Sequence, residues 1–458
     1  MTISSIVSKQ KAFFQTGATK KWSNRLEALN RLEQAVLRYE SEITAALCAD
    51  LNKSSFESHM TEIGMVLSEL RYMKKHLVSF SRPRRKPTPL AQFPSLSFES
   101  PQPYGCVLIL SPWNYPFMLT MDPLIGAIAA GNCCVVKPSN ASPNTSALIK
   151  RILTELFPVK YVAVVEGGRE ENTQLLNQAF DYIFFTGSAR VGRIVLEKAA
   201  RHLTPVSLEL GGKSPCVVDE SADLKCAARR ILFGKLLNAG QTCVAPDYLL
   251  IQESVKEQWI YYAQKELTRM YGKQPLNNPN YPKIINLRHY NRLISLLSGQ
   301  HLLTGGEGDP ITLKLAPVLM DRVTPKDPVM QEEIFGPILP ILTYRTQEDA
   351  VRLIRSVMDG AKPLAFYLFT GKKQAERYFL NHLSFGGGCI NDTIIHLATP
   401  YLGFGGIGAS GMGSYHGKYS FDTFSHTRSI VKKSTLLDLP LRYQPVSQMK
   451  ETIMKRFL

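Results

Sequence analysis

The sequence predicts an α/β protein: a doubly wound parallel sheet, a second α/β unit, and a small β segment that belongs to neither. Two observations lead there. From Gly105 onward, short wholly apolar runs alternate with helix-length segments, the pattern of parallel strands covered on both faces. The alternation breaks at Leu210-Gly-Gly-Lys213 and starts afresh at Pro215. A chain of 458 residues also exceeds what one hydrophobic core serves, so two or three domains are expected.

The first eighty residues read as helices. Leu26, Leu29, Leu32, Val36, Ile43 and Leu47 recur at helical spacing over 22–48, and 62–80 continues the pattern. Prolines 83, 87, 89 and 94 then stop helix formation, and 96–100 reads as a strand leaving the main body. Strands are expected at 107–110, 133–136, 162–165 and 182–185, with helices at 119–130, 143–156, 171–179 and 190–203. The second unit begins near 211 with a strand from Pro215, a helix over 222–237 and a strand over 248–251. It runs to about 415, where 415–431 reads as a β-rich tail able to pair with the 90–100 strand as a bridging sheet. The expected division is a dinucleotide-binding domain at 1–82 and 101–210, a catalytic domain at 211–415, a bridging and oligomerisation segment at 83–100 and 416–445, and a tail at 446–458.

No apolar run is long enough to span a membrane, and the N-terminus lacks the layout of a secretory signal, so a cytoplasmic setting with free thiols is expected. The eight cysteines form no C-x-x-C pair and the nine histidines no metal-ligand spacing, so no metal is expected. The net charge of +16 suits attraction of anionic cofactors. Without a recognition motif beside them, the basic clusters read as solvated surface rather than a nucleic-acid site.

Open parallel sheets bind ligands where the carboxyl ends of strands meet the following loops, and polar or glycine-bearing stretches sit at those ends. A strand runs into Thr186-Gly187-Ser188 and on through Gly192 into an amphipathic helix, which directs backbone N–H groups and the positive helix end at an anion, a dinucleotide phosphate site. The formal G-x-G-x-x-G match at 406–411 lacks the strand before it and the half-domain after it, and is rejected as a cofactor loop.

The chemistry centres on Asn238-Ala-Gly-Gln-Thr-Cys243-Val-Ala-Pro-Asp247. Alone, Cys243 reads as a small buried apolar residue; on a corner after a helix it is also placed as a nucleophile. If Cys243 attacks an aldehyde, the Asn114 amide and the Cys243 backbone N–H are candidate oxyanion donors, and Glu209 at a strand end is a candidate base for thioester hydrolysis. Lys137, ending a strand, is a candidate ligand for ribose hydroxyls or a phosphate. Glu333 is a candidate for the nicotinamide ribose, with Phe335 against the ring. In isolation each has a commoner use: Asn114 as a turn residue, Glu209 as a capping carboxylate, Lys137 as surface, and Glu333 with Phe335 as a helix start beside a core ring. Trp113, Tyr115, Thr399 and the apolar segment 394–404 are candidates for lining a substrate tunnel.

Set in order, Pro-Trp-Asn-Tyr-Pro (112–116), Lys-Pro-Ser (137–139), Phe-Thr-Gly-Ser (185–188), 208–215, 240–248, Glu-Glu-Ile-Phe-Gly-Pro (332–337) and 408–426 resemble the aldehyde dehydrogenases, class 3 above all. The resemblance covers nearly the whole chain. It implies a Rossmann-like cofactor domain, a catalytic α/β domain, a β bridge, pairing as a homodimer, and NAD or NADP as cofactor. It implies Cys243 as nucleophile, Glu209 as general base and Asn114 as oxyanion donor. For the cofactor it implies Lys137 at the adenosine ribose, Gly187 and Ser188 at the pyrophosphate, and Glu333 at the nicotinamide ribose. It places the 406–411 glycines in the catalytic domain, away from the dinucleotide. Asn140 departs from the glutamate that class 3 enzymes commonly carry three residues after the lysine, which removes a carboxylate opposed to a 2′-phosphate. The implied reaction is oxidation of a medium-chain aliphatic or aromatic aldehyde to its acid. Two rivals stand beside it: an acylating dehydrogenase or acyl-phosphate reductase, against which Glu209 speaks, and a non-catalytic or nucleic-acid-binding protein on the same scaffold.

Overall fold

A computed structural model describes residues 1–457. Its first sheet has six strands, in the order Gly411–Met412, Val206–Glu209, Tyr182–Thr186, Cys106–Leu110, Cys133–Lys137 and Val162–Val164. All pairs are parallel except that of the short Gly411–Met412 edge. Cys106–Leu110 and Cys133–Lys137 are buried along their whole length, which is why they read as unbroken apolar runs. From Cys106–Leu110 the chain builds outward through two strands, then crosses back to lay Tyr182–Thr186 on the other side. The crevice between those two strands is the switch point at which such sheets bind ligands.

The second sheet has seven strands, in the order His301–Thr304, Val318–Asp321, Ile338–Tyr344, Tyr248–Gln252, Pro215–Val218, Ala365–Phe369 and Gly387–Ile390, with only the first antiparallel. The expected helix over 222–237 is Leu224–Leu236, N-capped by Asp223, whose carboxylate accepts from Cys226 N. A third, antiparallel sheet joins Arg84–Lys86, Ser95–Pro103 and Ser425–Lys433. The two β segments expected to pair do so, over nine residues each.

Three expectations need correction. The helical pattern over 22–48 is two helices, Trp22–Arg38 and Glu40–Leu51, because Tyr39 leaves helical geometry at φ −94°, ψ 7°; a periodicity that survives the break conceals it. The 415–431 stretch is not β throughout. Lys418–Thr423 is a helix lying so close on the buried helix Met118–Ala130 that a Cβ on Gly126 would come within 2.7 Å of Ser420 Cβ. Finally, the 406–411 glycines do not stay within the second sheet's half of the molecule, since Gly411 pairs with Glu209 on the edge of the first sheet. The tail forms the helix Gln448–Phe457; its last residue, Leu458, lies outside the described residues. Among the described residues no helix is long and apolar enough to cross a membrane.

Candidate active site

Cys243 follows a turn of unusual backbone. Asn238 and Ala239 both adopt left-handed geometry, φ 52° in each, a conformation costing about 1–3 kcal/mol per non-glycine residue that persists only where surroundings over-determine it. Those surroundings are visible. Gln241 Nε2 donates to the Asn238 and Lys283 carbonyls, each at 3.0 Å, while its Oε1 accepts from Ile285 N at 3.0 Å. Gly240 has φ +74°, and a Cβ there would stand 2.2 Å from the Gly336 carbonyl oxygen, so only glycine lets this turn seat against the 332–337 loop. Tyr367 OH donates to the Val244 carbonyl at 2.6 Å.

Cys243 is half-buried, and burial pushes its thiol up to about 12. The Glu333 and Glu209 carboxylates add to that shift, and the N–H groups of Cys243 and Val244 oppose it. The thiol is therefore protonated at neutral pH in the cofactor-free protein. Since only the thiolate alkylates, reactivity rises as pH climbs toward a raised pKa. Alkylation of Cys243 by iodoacetamide, followed by peptide mass spectrometry, is expected to accelerate about tenfold per pH unit from about pH 7 to about pH 9. A plateau below pH 8 would contradict this environment.

Glu209 ends its strand buried, with both carboxylate oxygens lacking a hydrogen-bond partner. Burial holds its carboxyl well above the usual range. Asn114 is buried and donates from Nδ2 to the Gln241 carbonyl at 3.0 Å. One of its two amide hydrogens is thereby committed to the turn before Cys243, which leaves the other for a ligand.

Glu333 lies against Gly211, where a Cβ would sit 2.1 Å from its Oε2, and it accepts from Gly212 N–H. Burial, then the Asp247 carboxylate, pushes it up to about 8, against the opposing pull of Gly212 N–H, Lys213 and Arg292. Phe335 is a non-glycine residue at φ 50°. Its ring meets Trp113 edge-on at 5.3 Å, and His289 stands 5.1 Å from Trp113 on another side.

At the switch point, Ser111 Oγ and Thr186 Oγ1 are buried without partners at the ends of the two strands that flank the crevice. Gly187 N donates to the Glu209 carbonyl at 2.9 Å, coupling the phosphate loop to the candidate base. Ser188 caps the helix Ala189–Ala200, and Gly192 in its first turn packs so closely that a Cβ would fall 2.8 Å from Leu210 Cδ2. Lys137 is buried, its ammonium donating to the Pro138 carbonyl at 3.0 Å, and burial lowers its pKa. Asn140 is exposed, beside Gly168. Orphaned hydroxyls, a buried ammonium and an open helix N-terminus are the donor set a dinucleotide requires, so these residues fit one.

A cavity of about 170 Å³ reaches Cys243, lined by Tyr115, Met118, Phe233, Leu237, Ile395 and Phe404 among others. Tyr115 stands in its wall with its hydroxyl bonded to Thr242 Oγ1 at 2.6 Å. Trp113 and Thr399 do not line it. Trp113 is drawn to the Phe335 side by ring packing, and Thr399 faces a separate small hollow beside Glu69 and Asp122.

Lys213 and Asp247 lie within the motifs at 208–215 and 240–248 without a role that the sequence assigns. They form a buried ion pair, from which Lys213 Nζ reaches the carbonyls of Val329 (3.1 Å) and Glu332 (2.9 Å), while Asp247 Oδ1 accepts from Ile334 N at 3.0 Å. The pair thus holds the Glu333 loop against the segment that follows Cys243. Two charges embedded in apolar stretches were the available signal.

The aldehyde dehydrogenase family model matches residues 1–430. The chain belongs to the aldehyde dehydrogenase family. It is 50% identical over 437 residues to the 4,4′-diaponeurosporen-aldehyde dehydrogenase of Staphylococcus aureus (strain NCTC 8325 / PS 47), covering 95% of each chain. It is 45% identical over 447 residues to mouse (Mus musculus) aldehyde dehydrogenase family 3 member A2, covering 97% of this chain and 92% of that one. A solved structure, the substrate-bound state of Staphylococcus aureus AldH, superposes with a TM-score of 0.98 at 48% identity over 100% of both chains. The chain is accordingly an NAD(P)-dependent aldehyde dehydrogenase with family 3 relatives, and the rival reading of a non-catalytic scaffold is set aside.

Proposed function

We propose that Cys243 is the nucleophile, Asn114 the oxyanion donor and Glu209 the hydrolytic base in oxidation of an apolar aldehyde to its free acid. The carrying observation is convergence: the cavity ends at Cys243, Asn114 bonds the same turn, and Glu209 is a buried carboxylate with no partner of its own. The Cys243 thiol gives its proton to solvent as the sulfur bonds to the aldehyde carbon. Asn114 and the Cys243 N–H hold the resulting oxyanion. A bound nicotinamide supplies the acceptor for the hydrogen that leaves this carbon with its electron pair, and a thioester remains on Cys243. Glu209 then takes a proton from water as the oxygen attacks, the C–S bond breaks, and the acid departs. A carboxylate whose conjugate acid is this weak is a capable base, which favours hydrolysis over acyl transfer to CoA or phosphate.

Lys137 and Asn140 are assigned to the adenosine ribose, Gly187, Ser188 and Gly192 to the pyrophosphate, and Glu333 with Phe335 to the nicotinamide end. With no carboxylate at Asn140, both NAD⁺ and NADP⁺ are accepted. The nearby Glu171 accepts from Gly168 N at 2.6 Å at the start of its own helix. Discrimination in kcat/KM is expected below about a thousandfold, roughly 4 kcal/mol. Asn140→Glu is expected to weaken NADP⁺ relative to NAD⁺ by about 10- to 100-fold, a like-charge penalty of a few kcal/mol. An unchanged ratio would remove Asn140 from the ribose site.

The apolar cavity wall favours medium-chain aliphatic or aromatic aldehydes. Each methylene buried contributes about 0.8 kcal/mol, so kcat/KM is expected to climb about fourfold per carbon from propanal to hexanal. A flat series would place the alkyl chain outside this cavity.

The first sheet with the N-terminal helices (1–82 and 101–210) is assigned as the cofactor domain and 211–415 as the catalytic domain. The three-stranded sheet (83–100 and 416–445) is assigned as the bridge between copies in a homodimer, with 446–458 as a tail. The exposed Leu436 and Leu437, beside the strand Ser425–Lys433, support that pairing. A reducing, cytoplasmic setting suits eight cysteines that are all unpaired.

A further inference from the structure

Behind the nucleophile's turn lies a buried cluster of charges that the proposed chemistry does not use. Lys53 and Glu62 form an ion pair at 0% exposure on both sides. Lys53 comes from the loop after the helix Glu40–Leu51, and Glu62 from a π-helical turn, His59–Ile63. Glu57 is buried on the short helix between them. π-Helical turns are rare and concentrate at functional sites.

Each of the three charges grips a backbone group of one of the two active-site loops. Lys53 Nζ donates to the Asn114 carbonyl at 3.1 Å and lies 3.9 Å from the centre of the Tyr115 ring. Glu62 Oε2 accepts from Phe117 N at 2.8 Å and Met118 N at 3.1 Å, at the start of the helix that follows Asn114. Glu57 Oε1 accepts from Asn238 N at 2.7 Å, on the first of the two left-handed residues before Cys243. Asn238 closes the circuit by donating from Nδ2 to the Asn114 carbonyl at 2.7 Å. The Asn114 carbonyl thus accepts from a buried ammonium and a buried amide while its side chain donates to Gln241.

A cluster of this kind is a poor way to hold a fold. Removing two charges from water carries a large desolvation cost, and apolar replacements of such pairs are often neutral or stabilising. What apolar residues do not supply is direction. Charge-assisted hydrogen bonds fix the groups they bind more tightly than neutral ones, and here they fix the backbone on either side of the oxyanion site.

We propose that Lys53, Glu57 and Glu62 are positioning residues for the oxyanion step, clamping the 112–118 loop to the 238–243 turn so that the Asn114 amide meets the oxygen bound at Cys243. The inference rests on Asn114 being the oxyanion donor. The clamp acts on the transition state, so its loss lowers kcat while leaving KM nearly unchanged.

The test is a double-mutant cycle with hexanal and NAD⁺, measured on full-length protein. Lys53→Met/Glu62→Leu replaces the ion pair with apolar side chains of similar length, and a thermal melt shows whether the variant is folded. It is expected to lower kcat about 10- to 100-fold, the scale of misplacing a catalytic group by about 1 Å, with KM within about twofold. In an Asn114→Ala background the same replacement is expected to cost less than about threefold, because the group it positions is gone. Glu57→Gln keeps an acceptor for Asn238 N in place of the carboxyl, and is expected to show a smaller loss of the same kind. An unchanged kcat in Lys53→Met/Glu62→Leu, or a full loss that adds to that of Asn114→Ala, would overturn the clamp while leaving the Asn114 role standing. A normal kcat in Asn114→Ala alone would remove the oxyanion role, and the clamp with it.

Discussion

Cys243→Ser is expected to abolish aldehyde-dependent reduction of NAD⁺, lowering kcat by at least about 10⁴-fold, the scale seen when a covalent nucleophile is removed. The serine hydroxyl occupies the same strained turn and nearly the same volume, so the fold survives. It ionises far less readily than a thiol, and it sits where burial and two carboxylates already oppose a negative charge. The remaining seven cysteines offer no substitute. Cys106, Cys133, Cys134 and Cys216 are buried within the strands, and none of the seven lines the cavity. Absorbance of the reduced cofactor is the readout, with a thermal melt to show that the variant is folded. Activity within tenfold of the parent enzyme would mean that another group attacks the aldehyde.

Glu209→Gln is expected to separate the two halves of the reaction. Hydride transfer precedes the step assigned to this carboxylate, so a stopped-flow trace shows a rapid burst of about one reduced cofactor per active site. Turnover after the burst falls about 10²- to 10⁴-fold, the range for loss of a general base. The glutamine amide fits the same buried space, where neither carboxylate oxygen has a partner to lose. Loss of the burst itself would place Glu209 before hydride transfer, as the group that takes the proton from Cys243.

Much of this was legible in the chain. The four strands from Cys106 to Thr186 read correctly because burial on both faces leaves continuous apolar runs, and the helix Pro143–Leu156 because its apolar stripe keeps a 3.6-residue period. The candidate residues stand out in the sequence because each sits at a strand end or in a turn where polarity is otherwise unexplained. What stayed hidden depends on distance in space. Gly411 beside Glu209 joins residues two hundred positions apart, and no local pattern announces it. Trp113 and Tyr115 are two residues apart, yet one faces Phe335 and the other the cavity. Lys53, Glu57 and Glu62 belong to no local motif, and only folding turns them inward against Asn114 and Asn238.

The central claim is that the substrate becomes a thioester on Cys243 that Glu209 removes. Intact-protein and peptide mass spectrometry of Glu209→Gln, quenched in acid soon after mixing with hexanal and NAD⁺, tests it most directly. The account predicts one adduct per chain, with the mass of the aldehyde less two hydrogens, located on the peptide that carries Cys243 and cleaved by hydroxylamine. An unmodified Cys243 after a full burst, or an adduct on any other residue, would contradict it.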